Sequence, residues 1–273
     1  MARRKAELGV VGKSQPRLDG PEKLAGRSVF TDDVVLPGML HGQIVRSPLP
    51  RARILNIDTS AALRLPGVKA VITHADAPKV FVGIEQPLFR KDIVNYVGDE
   101  VAAVAAMDEA TATEAARLIR VDYEPLPAVF TMADAMKPDA VQIHAKAKGN
   151  VAWAQSRDLG DVDAAFADSA HVRTDRYTTP ASHNCYAEFH SVVADWSRPD
   201  KLSVWTPTQT ALLFQKSIAR ALGLTDGAVR IMSLHTGGGF TGRSAAWPHH
   251  FIAPLLSRKA GRPVKIRMTG DEE

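Results

Sequence analysis

Cysteine is almost absent: Cys185 is the single one in 273 residues. A lone cysteine excludes an intramolecular disulfide and an iron–sulfur centre held by this chain alone, and it suits a reducing cytoplasm. It reads as a small buried apolar residue. Long apolar runs are missing as well. No stretch approaches the roughly 18 residues of a spanning helix, so no membrane span is expected. Arg3-Arg4-Lys5 is not followed by an apolar run, which argues against an export signal. Basic and aromatic residues do not interleave as they do in binders of single-stranded nucleic acid, so no nucleic-acid partner is expected. There is no internal repeat and no Walker A loop. No GxGxxG stands in its dinucleotide-binding context.

What remains is an ordinary globular composition, 45% hydrophobic and 23% charged. The net charge of +4, with a pI near 9.2, is a mild bias that suits anionic ligands or a partner subunit. The length allows two domains, each with its own core.

The most informative stretch is His235-Thr236-Gly237-Gly238-Gly239-Phe240-Thr241-Gly242-Arg243. It follows a strand-like alternation from Val229 to Leu234. Trp247, Phe251 and Leu255 then recur at helical spacing. In a strand–glycine loop–helix unit, bare backbone N–H groups can approach an anion or a flat cofactor. An aromatic at such a turn is costly unless it packs on something, either a planar ligand or the core behind the turn.

Along the chain, residues 1–16 read as an extended arm. Strands are expected at Ser28–Phe30, Leu40–Arg46, Ala52–Ile57, Val68–Thr73 and Val101–Ala106, the last buried on both faces. A helix follows Asp108 with Ala112, Ala115, Ala116 and Ile119 inward, and Val121–Tyr123 resumes the sheet. Residues 131–160 read as a linker. The second unit has a helix over Val162–Ala170 and strands at Val172–Tyr177, Ser191–Trp196, Lys201–Trp205 and Val264–Met268. Its helix Ala211–Leu222 is stopped by Gly223. Pro254 predicts a kink in the helix after the glycine loop. The first unit is α+β, without a regular βαβ rhythm.

Taken in order, the motifs resemble the molybdenum-cofactor-binding large subunits of the xanthine dehydrogenase and aldehyde oxidase type. Arg17-Leu18-Asp19-Gly20, Pro37-Gly38-Met39-Leu40-His41-Gly42, Arg46-Ser47-Pro48, Gly98-Asp99-Glu100-Val101 and Val121-Asp122-Tyr123-Glu124-Pro125 are similar to the family's α/β hammerhead domain. Glu188, Thr208-Gln209, Gly237-Gly238-Gly239-Phe240 and Gly261-Arg262-Pro263-Val264 follow in the family's order. The resemblance covers residues 10–273 and looks closest to the 4-hydroxybenzoyl-CoA reductase and carbon monoxide dehydrogenase-like branch.

The resemblance implies an α+β chain with an arm (1–16), a hammerhead domain (17–130), a linker (131–160) and the N-terminal part of a mixed α/β molybdenum-cofactor-binding domain (161–273). It implies that Gln209 hydrogen-bonds an oxygen ligand of molybdenum. Gly238, Gly239, Phe240 and Thr241 would contact the cofactor, with the Phe240 ring near the substrate channel. It implies a molybdenum–molybdopterin cofactor in its cytosine dinucleotide form and no protein ligands to the metal. His183 and His190 are then packing or hydrogen-bonding residues. Partner subunits would carry [2Fe–2S] clusters and FAD, and a small molecule would be hydroxylated or reductively dehydroxylated. Where xanthine-oxidising members have a glutamate after the basic residue of the loop, this chain has Ser244, which argues against xanthine. Met268–Glu273 resembles an internal family segment. The expectation is therefore a fragment, a truncated product or half of a split subunit, inactive without the C-terminal half that supplies the general-base glutamate. The alternative reading is a non-catalytic module that docks the iron–sulfur or flavin subunits.

Overall fold

In the computed structural model, residues 9–78, 81–82 and 86–273 are described. The beginning of the expected arm, including Arg3-Arg4-Lys5, lies outside them. The first half of the chain runs α1 (Gly20–Leu24), β1 (Leu40–Arg46), β2 (Ala52–Asp58), α2 (Ser60–Arg64), β3 (Val68–Thr73), β4 (Phe81–Val82), β5 (Gln86–Pro87), β6 (Ile93–Val94), β7 (Glu100–Ala106), α3 (Glu109–Leu118) and β8 (Arg120–Pro125). The second half adds α4 (Met132–Ala135), α5 (Val162–Ala167), β9 (Ser191–Arg198), β10 (Lys201–Trp205), α6 (Ala211–Leu222), β11 (Val229–Met232), α7 (His249–Ala260) and β12 (Val264–Arg267).

One seven-stranded sheet draws on both halves, in the order β11-β10-β9-β12-β1-β7-β3. The seam between the halves is the parallel pair β1–β12, in which Leu40 faces Val264 and Gly42 faces Ile266. Gly42 is required there, because a Cβ would lie 2.7 Å from Ile266 Cγ1. Every residue of β7 is buried, as its apolar run predicts. Ala102 and Val104 face one way, into a cluster with Ala62, Ala115 and Ile119. Ala103 and Ala105 face the other, into the main core with Phe251, Ile252 and Leu256 of α7 and Phe214 and Ile218 of α6. A smaller sheet, β6-β2-β8, stands apart.

Local chemistry sets the helix ends. The Asp108 carboxylate accepts the Thr111 N–H at 2.8 Å and starts α3. Gly223 and Gly261 take left-handed conformations that stop α6 and α7.

Several expectations are corrected. Ser28–Phe30 is not a strand: the Phe30 N–H bonds to Asp33 Oδ2 at 2.9 Å, and a 3-10 turn follows over Thr31–Asp33. Val172–Tyr177 forms no strand either. Residues 151–185 are exposed throughout, and β propensity has no effect without a neighbouring strand to pair with. The Val162 helix ends at Ala167, where the chain turns at Asp168. Trp247 lies before α7 rather than on its inner face, and is half-exposed. Pro254 lies inside α7 without ending it, and the helix is one element of 12 residues, buried from His249 to Ser257.

Candidate functional site

β10 and β11 are parallel neighbours, with Leu202 facing Val229 and Trp205 facing Met232. Their C-terminal ends therefore release two loops side by side, the usual position of a ligand crevice in open α/β sheets. The first loop is Thr206-Pro207-Thr208-Gln209-Thr210, ahead of α6. The second is the glycine loop, ahead of α7. Backbone and hydroxyl bonds stitch them together. The Gln209 N–H donates to Arg243 O at 3.0 Å, the Thr208 hydroxyl donates to the same oxygen at 3.4 Å, and the Thr210 hydroxyl donates to Ser244 O at 2.8 Å.

This stitching lays the exposed Gln209 side chain across Gly239. A Cβ on Gly239 would lie 2.6 Å from Gln209 Cδ. The Ser244 hydroxyl donates to Gln209 Oε1 at 3.4 Å, and the amide nitrogen lies against Gly239. In the glycine loop Gly238 has φ +116°, Phe240 +37° and Thr241 +71°. Two adjacent non-glycine residues in the left-handed region cost about 1–2 kcal/mol each, and such strain gathers at functional sites. Among the described residues, the N–H groups of Gly238, Gly239 and Phe240 have no hydrogen-bond acceptor. Bare N–H groups beside a neutral amide NH2 form a donor set suited to oxygen atoms of an anionic group, and the missing Cβ atoms leave room for it. Phe240 is 65% exposed, so the core alternative raised by the sequence does not hold.

Behind the loop lies a buried clamp. Glu188 Oε2 accepts the Gly237 N–H and Arg243 Nη1, both at 2.7 Å. Arg243 is fully buried, with its guanidinium carbon 4.8 Å from the centre of the Tyr186 ring. Tyr186 in turn lies 6.0 Å from Phe240, ring to ring, and Trp247 Nε1 donates to Gly242 O at 3.0 Å. Glu188 and Arg243 stand 55 residues apart, and their pairing leaves no local signal in the sequence.

Beyond Tyr186 opens a cleft of about 590 Å³, lined by Arg46, His190, Gly242, His249, Glu272 and Glu273 among others. Arg46 pairs with Glu100 at 2.7 Å and Glu272 at 2.9 Å, and His190 Nδ1 meets Glu273 Oε2 at 2.7 Å. Burial holds the His249 imidazole well below its usual pKa, helped by His250, His190, Arg46 and Arg243. Burial and His190 lower His250 to about 3. Sequence reasoning missed this histidine cluster, although the adjacent His249 and His250 on an otherwise apolar helix were its visible sign. His190 packs edge-on against Tyr186 and pairs with Glu273, and His183 bonds the Cys185 N–H, as packing or hydrogen-bonding residues. Cys185 itself is exposed, with φ +49°, and not buried as expected; the His183–Cys185 turn faces solvent. Among the described residues, no group of three or more His, Cys, Asp or Glu side chains is placed to hold a metal ion. No described helix is long and apolar enough to cross a membrane.

Fold and site together define a hammerhead unit joined to a glycine-loop cradle. Residues 25–127 match the family described as "Aldehyde oxidase and xanthine dehydrogenase, a/b hammerhead domain", and residues 143–273 match "Molybdopterin cofactor-binding domain". The chain belongs to the molybdopterin-binding large subunits of the xanthine dehydrogenase and aldehyde oxidase family and corresponds to their N-terminal part. It is 32% identical over 278 residues to the nicotine 6-hydroxylase large subunit of Paenarthrobacter nicotinovorans, covering 94% of this chain and 33% of that protein. It is 33% identical to the nicotinate dehydrogenase large molybdopterin subunit of Eubacterium barkeri, over 96% of this chain and 62% of that one. The reconstituted CO dehydrogenase of Oligotropha carboxidovorans superposes with a TM-score of 0.87 at 31% identity, over 96% of this chain and 35% of that chain. The chain thus spans between 33% and 62% of the length of these relatives.

Proposed function

We propose that this chain forms the N-terminal portion of the cofactor subunit of a molybdenum hydroxylase. The intact assembly hydroxylates, or reductively dehydroxylates, an aromatic, heteroaromatic, aldehyde or CoA-thioester substrate in the cytoplasm. The observation that carries this reading is the Gln209 amide lying across Gly239 beside the unpartnered N–H groups of Gly238, Gly239 and Phe240. A molybdopterin, in its cytosine dinucleotide form, would supply the two-electron redox centre when bound. Gln209 would donate to one of its oxygen atoms without adding charge, and Gly238 to Thr241 would accept its close approach. The exposed Phe240 ring would line the substrate approach. Electrons would leave to [2Fe–2S] and FAD centres on partner subunits, and the remaining portion of the cofactor subunit would complete the site.

The substrate is not xanthine in this reading. Ser244 is engaged with Gln209 and carries no carboxylate. A site without that carboxylate forgoes a charged hydrogen bond to the purine, worth about 1.5–3 kcal/mol. Xanthine turnover equal to that with aromatic or CoA-linked substrates would contradict it. The test of the wider reading is to co-purify the chain with the products of its neighbouring genes and assay molybdenum and pterin. Near-stoichiometric amounts of both support it. A complete complex lacking both supports the docking-module reading instead.

A further inference from the structure

We infer that Arg243, gripped by Glu188, is the positioning residue that sets the donor geometry of the cradle; this rests on the cofactor reading above. Glu188 holds both ends of the glycine loop. Its Oε2 takes the Gly237 N–H at one end and the Arg243 guanidinium at the other, each at 2.7 Å. Its backbone contributes too: the Glu188 N–H donates to Gly237 O at 3.4 Å, and its carbonyl accepts from Arg243 Nη2. Only residues 238–242 span the gap, and they include the left-handed Gly238, Phe240 and Thr241. With both ends fixed, the intervening turn keeps a conformation that it would otherwise relax.

Arg243 also reaches the other loop. Its carbonyl receives the Gln209 N–H at 3.0 Å and the Thr208 hydroxyl at 3.4 Å. The same residue that is held by Glu188 thus fixes where the Gln209 amide starts. The chemistry requires arginine and not any cation. Two guanidinium nitrogens engage two different Glu188 oxygens while the flat face rests on Tyr186, and a lysine ammonium reproduces only one of these contacts. A purely structural role fits the burial poorly. Glu188 Oε1 and Arg243 Nε are buried without partners, so the pair is incompletely satisfied where an apolar pair would leave nothing unbonded.

The test uses the complex purified from molybdopterin-producing cells, with Arg243→Lys and Glu188→Gln variants beside wild type. Three quantities are read: amide hydrogen exchange, thermal melting, and molybdenum and pterin per chain. The expected result for Arg243→Lys is exchange about tenfold faster at the Gly237 amide, which donates to Glu188, while β9 and β10 keep wild-type protection. Molybdenum and pterin content should fall several-fold, with Glu188→Gln behaving alike. The inference is overturned if the Gly237 amide keeps its protection, if β9 and β10 loosen in step with it, or if cofactor content is unchanged where that amide is loosened. Should a variant fail to fold, exchange in the other decides. Failure of the underlying reading looks different. Wild-type complex would then carry neither molybdenum nor pterin and would still show the Gly237 amide protected.

Discussion

At the scale of single residues, glycines 237 and 239 make opposite forecasts, although they differ by two positions. A Cβ on Gly239 meets the Gln209 side chain, which is exposed and free to swing away. Gly239→Ala should therefore change stability by less than about 0.5 kcal/mol, while displacing the amide. Activity of the assembled enzyme should fall roughly ten- to a hundred-fold, as for Gln209→Ala, for loss of one hydrogen bond in the transition state. Full activity in either variant would remove Gln209 from the site. A Cβ on Gly237 instead meets Glu188 Cβ at 2.5 Å and its backbone N at 3.2 Å, and neither can move far. Gly237→Ala should cost about 1–3 kcal/mol by denaturant unfolding. Phe240→Gly should leave stability equal or slightly higher, since the left-handed penalty of about 1–2 kcal/mol disappears and glycine's extra chain entropy returns roughly 0.5–1 kcal/mol of it. A loss of about 3–5 kcal/mol would mean a packed core ring. These positions were legible in the sequence because backbone approach is a local property of glycine. The Glu188–Arg243 clamp was not, since no spacing rule links residues brought together only by the fold.

At the scale of elements, α7 carries the pH dependence. His249 and His250 have folded pKa values below the ordinary 6.5. The unfolded chain therefore takes up protons first as pH falls. Their contribution to stability is complete above about pH 6.5 and is lost below it, toward about 3 for His250, at up to about 1.4 kcal/mol per pH unit for each. Burial raises Asp99 and Glu100, which act in the opposite direction, so a comparison of variants isolates the histidines. His249→Phe should flatten the fall in urea midpoint between pH 7.5 and 5 by about one proton's worth. An unchanged slope would show that His249 is protonated in the folded protein. Elements whose signals are local, such as α3 with its Asp108 cap and α6 with Gly223, appear where the sequence puts them. Val172–Tyr177 does not, because a strand exists only through its neighbour.

At the scale of the whole molecule, the sequence suggested two units joined by a linker, yet their strands lie in one sheet across the β1–β12 seam. Such long-range pairing carries no periodicity to read; the glycine at position 42 was its one trace. Gly42→Val should wedge the seam at Ile266, cost about 1–3 kcal/mol, and lower a single melting transition seen by probes in both halves. Separate melting of the halves, with one unaffected, would contradict a shared cooperative sheet. The sheet matters for function because it fixes the parallel β10–β11 ends from which both loops of the cradle emerge. The most direct test of that cradle is molybdenum anomalous scattering in crystals of the co-purified complex. One peak is expected on the open side of Gln209 and Gly238–Phe240. A peak in the cleft between Arg46 and His249, or none beside the glycine loop in a complex that contains the metal, would contradict it.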